Sequence, residues 1–141
     1  LPIITAAADN NIVIIGATNM YDSIDPAAKR RIEISAYIGL PDKEDIQKLF
    51  VKELSKIKMG ESLAKNNEEI KELSAKFVGY TPSNIVNIIK EASRQACVQN
   101  REISKDDILN ALQNGTYEKL KEEEYLPENK KIVKKMGFGN N

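Results

Sequence analysis

Leu40-Pro41-Asp42 is followed by Ile46, Leu49, Phe50, Leu54 and Ile57, and across this stretch the chain changes period. The five apolar residues share one face of a 3.6-residue helix, with lysines and glutamates on the other. Beyond a polar break at residues 59–67, Ile70, Leu73 and Phe77 predict a second helix. Gly79-Tyr80-Thr81-Pro82 ends it and opens a third, with Thr81 as the cap and Pro82 in the first turn. Ile85, Ile88, Ile89, Ala92 and Ala96 form the stripe of that helix, and Cys97 is expected beside them as a small buried hydrophobe. Ser104 and Asp107 have the spacing of a capping box and open a fourth helix, through Ile108, Leu109 and Leu112 to about Gly115. Four amphipathic helices of this length bury their stripes against one another as a small bundle.

Upstream of the proline the pattern is that of a sheet. Ile12-Val13-Ile14-Ile15 is a β-branched run without alternation, stopped by Gly16. Such a run predicts a strand buried on both faces, as in a parallel sheet. Ala17-Thr18-Asn19 then lies at its carboxyl end, where open α/β sheets place ligands. Asp25 and Pro26 start a short helix through Arg31, and residues 33–40 read as a second strand. Leu1-Pro2-Ile3-Ile4 begins in mid-pattern, so the expectation is a piece of a longer chain. The organisation expected is an α/β portion over residues 1–41, a helical bundle over 42–115, and a charged helix or tail over 116–141.

Composition narrows the functions available. Lysine plus arginine and aspartate plus glutamate both number 21, and a net charge of zero gives no case for a general nucleic-acid binder. There is no histidine, which removes His-based metal sites and His-dependent triads. The single cysteine allows no internal disulfide and fits a reducing, cytoplasmic compartment. No apolar run approaches the ~20 residues that span a bilayer. The cluster Lys130-Lys131 with Lys134-Lys135 reads as a solvated face, and Glu91 as a helix residue rather than a catalyst.

Five short pieces, in order and in register, resemble AAA-type ATPases. Ile14-Ile15-Gly16-Ala17-Thr18-Asn19 is similar to the family's sensor-1 strand. Asp25-Pro26-Ala27-Ala28-Lys29-Arg30-Arg31 looks like its Asp-Pro-Ala with an arginine pair, and Leu40-Pro41-Asp42 like the entry into its lid. Gly79-Tyr80-Thr81-Pro82-Ser83-Asn84-Ile85 with Glu91-Ala92 resembles the lid turn. Arg101, Ile103, Asp106, Asp107, Ala111 and Leu112 match the pattern of the last lid helix. The compact arginine segment is more similar to the katanin/spastin-like branch than to the protease or proteasomal branches. Met20, Ile32 and Pro82 depart from the family's usual Arg, Phe and Gly. The chain contains no Gly-x-x-x-x-Gly-Lys-Ser/Thr and no apolar run ending in Asp-Glu.

The resemblance implies two parallel-sheet strands left from a P-loop ATPase core, followed by an all-α four-helix lid. It implies that Asn19 acts as sensor 1, an amide that orients the attacking water without adding charge; the local alternative is an Asn bonding its own turn. Arg30 and Arg31 are the implied arginine fingers, whose guanidinium forks onto phosphate oxygens of a neighbouring subunit's nucleotide. A solvated basic turn is the alternative, and spacing does not separate the two arginines. Thr81, Pro82 and Ser83 are the implied contacts to base and ribose, or else a well-capped helix start. Leu49 is an adenine contact or a core residue. The implied parent binds ATP and Mg2+, assembles as a homo-oligomer, expected to be a hexameric ring, and remodels another protein or assembly. The piece alone is expected to bind nucleotide weakly and not to hydrolyse it. A non-hydrolysing scaffold-like relative and a helical adaptor or nucleic-acid module are the rival readings.

Overall fold

The computed structural model describes residues 12–32, 34–121 and 134–135. The chain divides into two compact units, one of Leu1–Tyr37 with Leu126–Lys135 and one of Ile38–Tyr125 with Met136–Asn141.

The described part of the first unit holds a 3-10 turn at Tyr21–Ser23 and a single-turn helix α1, Pro26–Lys29. It also holds strand β1, Ala36–Tyr37, paired in parallel with β2, Lys134–Lys135, in the register Ala36 to Lys134 and Tyr37 to Lys135. This differs from expectation in two ways. Ile12–Ile15 forms no strand, and its four side chains are exposed. A strand buried on both faces exists only where neighbours hydrogen-bond its edges and helices cover its faces. Among the described residues none pairs with this run. The second expected strand shrinks from residues 33–40 to two residues, and its partner comes from the far end of the chain. The stretch expected as a charged helix or tail is therefore extended at Lys134–Lys135, and Thr116–Lys121 is irregular. Lys130 and Lys131 lie outside the described residues.

The second unit is helical. Its helices are α2 (Lys43–Leu54), α3 (Glu61–Lys65), α4 (Asn67–Lys76), α5 (Pro82–Val98) and α6 (Lys105–Asn114), with a 3-10 turn at Lys58–Gly60. The expected bundle of four gains a fifth, short helix inside the polar break. Leu63 and Ala64 are its buried residues, too few to display a period in the sequence. Each longer helix starts on a side-chain cap. Asp42 Oδ1 accepts from Asp45 N at 2.8 Å, Asn66 Oδ1 from Glu69 N at 3.3 Å, and Thr81 Oγ1 from Asn84 N at 3.2 Å. These caps satisfy N–H groups that have no intrahelical acceptor.

One core holds the helices together. Ile46, Phe50 and Leu54 of α2 meet Ile70 and Leu73 of α4, the stripe Ile85, Ile88, Ile89, Ala92 and Ala96 of α5, and Ile108 and Ala111 of α6. Phe77 packs edge-on against Phe50, ring centroids 5.0 Å apart, the arrangement the ring quadrupoles favour. Cys97, expected in this core, is exposed. It follows the buried Ala96 by one residue, a rotation of roughly 100° that carries it off the stripe. The end of α5 is closed by a Schellman arrangement: Asn100 takes φ 50°, its N–H donates to Cys97 O at 3.0 Å, and Arg101 N–H donates to Ala96 O at 3.1 Å.

Candidate functional site

The residues expected to carry chemistry fall in two groups, one in each unit. In the first unit Asn19 is exposed, in a bend between the β-branched run and the 3-10 turn. The bend is fixed by its neighbour: Thr18 Oγ1 accepts from Met20 N at 2.9 Å. The Asn19 amide therefore makes no cap of its own among the described residues.

Eleven and twelve residues on, Arg30 caps the C-terminus of α1 and Arg31 follows it. This helix is one turn long, so its geometry depends on its cap. Asp25 supplies it, Oδ1 accepting from Ala27 N at 2.8 Å and Ala28 N at 3.1 Å, while Pro26 presets the first helical φ. Three consecutive cations follow, and the structure separates them. Lys29 Nζ stands 4.6 Å from the centroid of the Tyr21 ring and donates to Asp22 O at 3.4 Å. Arg31 Nη1 donates back to Ala27 O at 2.9 Å, tying its guanidinium to a carbonyl of its own helix. Arg30 is exposed, and among the described residues its guanidinium has no hydrogen-bond or ion-pair partner. The tethering role of Lys29 was not legible, because Tyr21 lies in the 3-10 turn and Lys29 in α1, and no residue spacing fixes how those two elements meet.

In the second unit Thr81, Pro82 and Ser83 stand together at the start of α5, as the sequence predicts. Thr81 and Pro82 are half-buried and Ser83 is exposed. The turn before them is held from three sides. Gly79 takes φ 95°, a left-handed conformation open to glycine at little cost. Gly79 O accepts from Leu120 N at 2.8 Å, and Lys119 Nζ lies 5.6 Å from the Tyr80 ring centroid. Leu49 is half-buried against the core rather than presented to solvent. The strongest electrostatic perturbation lies elsewhere in the unit. Asp107 is held well below the usual carboxylate range, mainly by hydrogen bonding from Arg101, against the opposing effect of burial and with further donation from Ser104. That carboxylate serves the start of α6 and is structural.

No group of three or more Cys, Asp or Glu able to hold a metal ion occurs among the described residues. None of the described helices is long and apolar enough to cross a membrane.

No protein-family model matches the chain. Curated relatives do. The chain is 34% identical over 104 residues to a "Spastin homolog" of Caenorhabditis elegans, covering 74% of this chain and 19% of that protein. It is 28% identical over 127 residues to a "Cell division cycle protein 48 homolog" of Archaeoglobus fulgidus, covering 76% and 17%. It is 31% identical over 101 residues to a "Vesicle-fusing ATPase" of Arabidopsis thaliana, covering 70% and 13%. The chain thus spans less than a fifth of the length of these relatives.

Proposed function

The chain belongs to the AAA-type ATPases, and from that premise we propose that it serves an ATP-driven remodelling machine, supplying sensor 1, a trans-acting arginine finger and the helical lid. The observation that supports this best is the contrast within the arginine pair. A finger must reach a neighbouring subunit's nucleotide, so its guanidinium must be free of partners in its own subunit. Arg30 meets that condition and Arg31, bonded to Ala27 O, does not. Arg30 is accordingly the finger and Arg31 the strut that shapes the end of α1. Asn19 orients the attacking water from the loop after the β-branched run. Thr81, Pro82 and Ser83 meet the base and ribose, and Leu49 supports them from the core.

The exposed apolar surface of Ile12–Ile15 fits a strand of a core sheet completed by residues outside this chain. The same holds for the phosphate grip. ATP with Mg2+ is the cofactor this function needs, yet the chain has no Gly-x-x-x-x-Gly-Lys-Ser/Thr, and the described residues offer no acidic cluster for the ion. The chain's own residues do not fit the phosphate and Mg2+ end of the nucleotide. In a protein of its relatives' length, other residues hold that end. The working form is a homo-oligomeric ring, hexameric, acting in the cytoplasm on a protein substrate, and it falls in the katanin/spastin-like branch.

The test is steady-state ATP hydrolysis by the full-length protein beside Arg30→Ala and Arg31→Ala variants. Arg30→Ala lowers kcat by about 10³-fold while nucleotide affinity is retained. Arg31→Ala causes a smaller loss. Full activity in Arg30→Ala overturns the finger assignment. A full-length protein that binds no ATP points instead to an assembly scaffold. The 141-residue chain itself is expected to show no turnover.

A further inference from the structure

A shallow groove of about 460 Å3 runs between α2 and α4. Lys48, Val51 and Lys52 line it from α2, and Ile70 and Lys71 from α4. Its composition is one-sided. Three ammonium groups line it and no carboxylate does. Three lysines elsewhere on this unit are paired with a carboxylate, Lys56 with Glu53, Lys65 with Glu61 and Lys105 with Glu72. Lys48, Lys52 and Lys71 form no ion pair among the described residues. Between them Val51 is 37% exposed on what is otherwise the polar face of α2, while Ile70 closes the floor.

We propose that this groove binds an acidic peptide segment carrying one aliphatic side chain, contributed by a partner protein. Lys48 and Lys52 are four residues apart and stand on one face of α2, roughly 6 Å from each other. Lys71 faces them from α4. Successive carboxylates of an extended or helical segment meet these ammonium groups, and the aliphatic side chain covers Val51. Charge complementarity of this kind steers encounter and sets orientation. Nucleic acid is the poorer fit. The groove is lined by no aromatic ring on which a base could stack, and the chain has no net positive charge to add to three lysines.

The experiment is fluorescence anisotropy on the 141-residue chain with a short fluorescein-labelled peptide of glutamates interrupted by one leucine. The acidic peptide binds, and raising NaCl from about 50 mM to about 500 mM weakens binding by about tenfold. The triple variant Lys48→Gln, Lys52→Gln, Lys71→Gln weakens it at least about tenfold at low salt. Val51→Ser weakens it by about threefold, and a glutamate-only peptide shows the same deficit on the wild type. Circular dichroism checks the fold of each variant. Amide chemical-shift changes on the wild type, confined to Gln47–Lys52 and Ile70–Lys71, give the same assignment without any variant. No binding, undiminished binding to a folded triple variant, shifts mapping to another face, or stronger binding of a single-stranded oligonucleotide each overturn the proposal. So does a response that only tracks self-association of the chain.

Discussion

Arg101 grips Asp107 with both prongs of its guanidinium, Nη1 to Oδ2 at 2.6 Å and Nη2 to Oδ1 at 2.7 Å. The same carboxylate accepts from Ser104 N and Ser104 Oγ, each at 2.8 Å, while Ser104 Oγ accepts from Asp107 N at 3.3 Å. One buried side chain thus closes the capping box of α6 and anchors the residue that ends the Schellman turn of α5. Asp107→Ala is expected to cost about 2 kcal/mol, the scale for hydrogen bonds to a charged group together with a cap. Arg101→Leu leaves the cap in place but strands a buried carboxylate, and is also destabilising. Urea unfolding followed by circular dichroism checks both. Independent losses that add in the double variant would show that the two residues do not work as a pair.

The same carboxylate sets a pH dependence. Its folded pKa is depressed below the ordinary value of 3.8, first by Arg101 and then by Ser104, against burial. A depressed acid contributes stability that is fully present above its unfolded pKa and is lost as pH falls through the folded one. The unfolding midpoint should hold from neutral pH down to about 5 and fall steeply below about 4. Asp107→Asn is less stable at pH 7, and its curve converges on the wild type in acid. Parallel curves over that range would locate the acid sensitivity in other groups.

The features legible beforehand share a property: each is settled within a few residues. Asp25, Thr81 and the Ser104–Asp107 box act within three residues, and the stripe from Ile85 to Ala96 is buried throughout. What was not legible depends on a distant partner or on a side-chain path that the local pattern does not fix. The run Ile12–Ile15 has strand propensity, but a strand also needs a neighbour, and β1 finds its neighbour at Lys134–Lys135. Arg30 and Arg31 have the same chemistry and adjacent positions. Only the side-chain path of Arg31, back to Ala27 O, distinguishes them.

Two glycines support the bundle for different reasons, and alanine substitutions separate them. At Gly60 the backbone is ordinary, φ −101°, but a Cβ would stand 2.6 Å from the Leu54 carbonyl oxygen, where the 3-10 turn crosses the end of α2. That contact involves backbone, so it is relieved only by moving an element. Gly60→Ala is expected to cost about 2 kcal/mol. At Gly79 the nearest atom to a Cβ is Leu120 O at 3.4 Å, ordinary contact, and the cost is the left-handed φ. Gly79→Ala is expected to cost about 1 kcal/mol, and Gly79→Asn less, because asparagine tolerates that conformation. Thermal unfolding of the three variants gives the order, and an asparagine as costly as alanine at position 79 would place the constraint in space rather than in φ.

Cys97 gives the sharpest check on the register of α5. It lies one residue beyond the buried Ala96, with Val98 84% exposed beside it. A helix turned by one residue would bury the thiol and expose Ala96. In the structure as it stands, a thiol reagent such as Ellman's reagent reacts fully with the native protein, with no slow phase awaiting unfolding. Urea then adds no further reactive thiol. Cys97→Ser should change stability by less than about 0.5 kcal/mol, as for a solvent-facing position. Ala96→Ser places a hydroxyl in the core beside Ile85, Ile88 and their neighbours, where it is limited to bonding the helix carbonyl four residues back. It should therefore cost more than Cys97→Ser. A protected thiol, or the opposite order of cost between the two serine variants, would require α5 to be rotated about its axis.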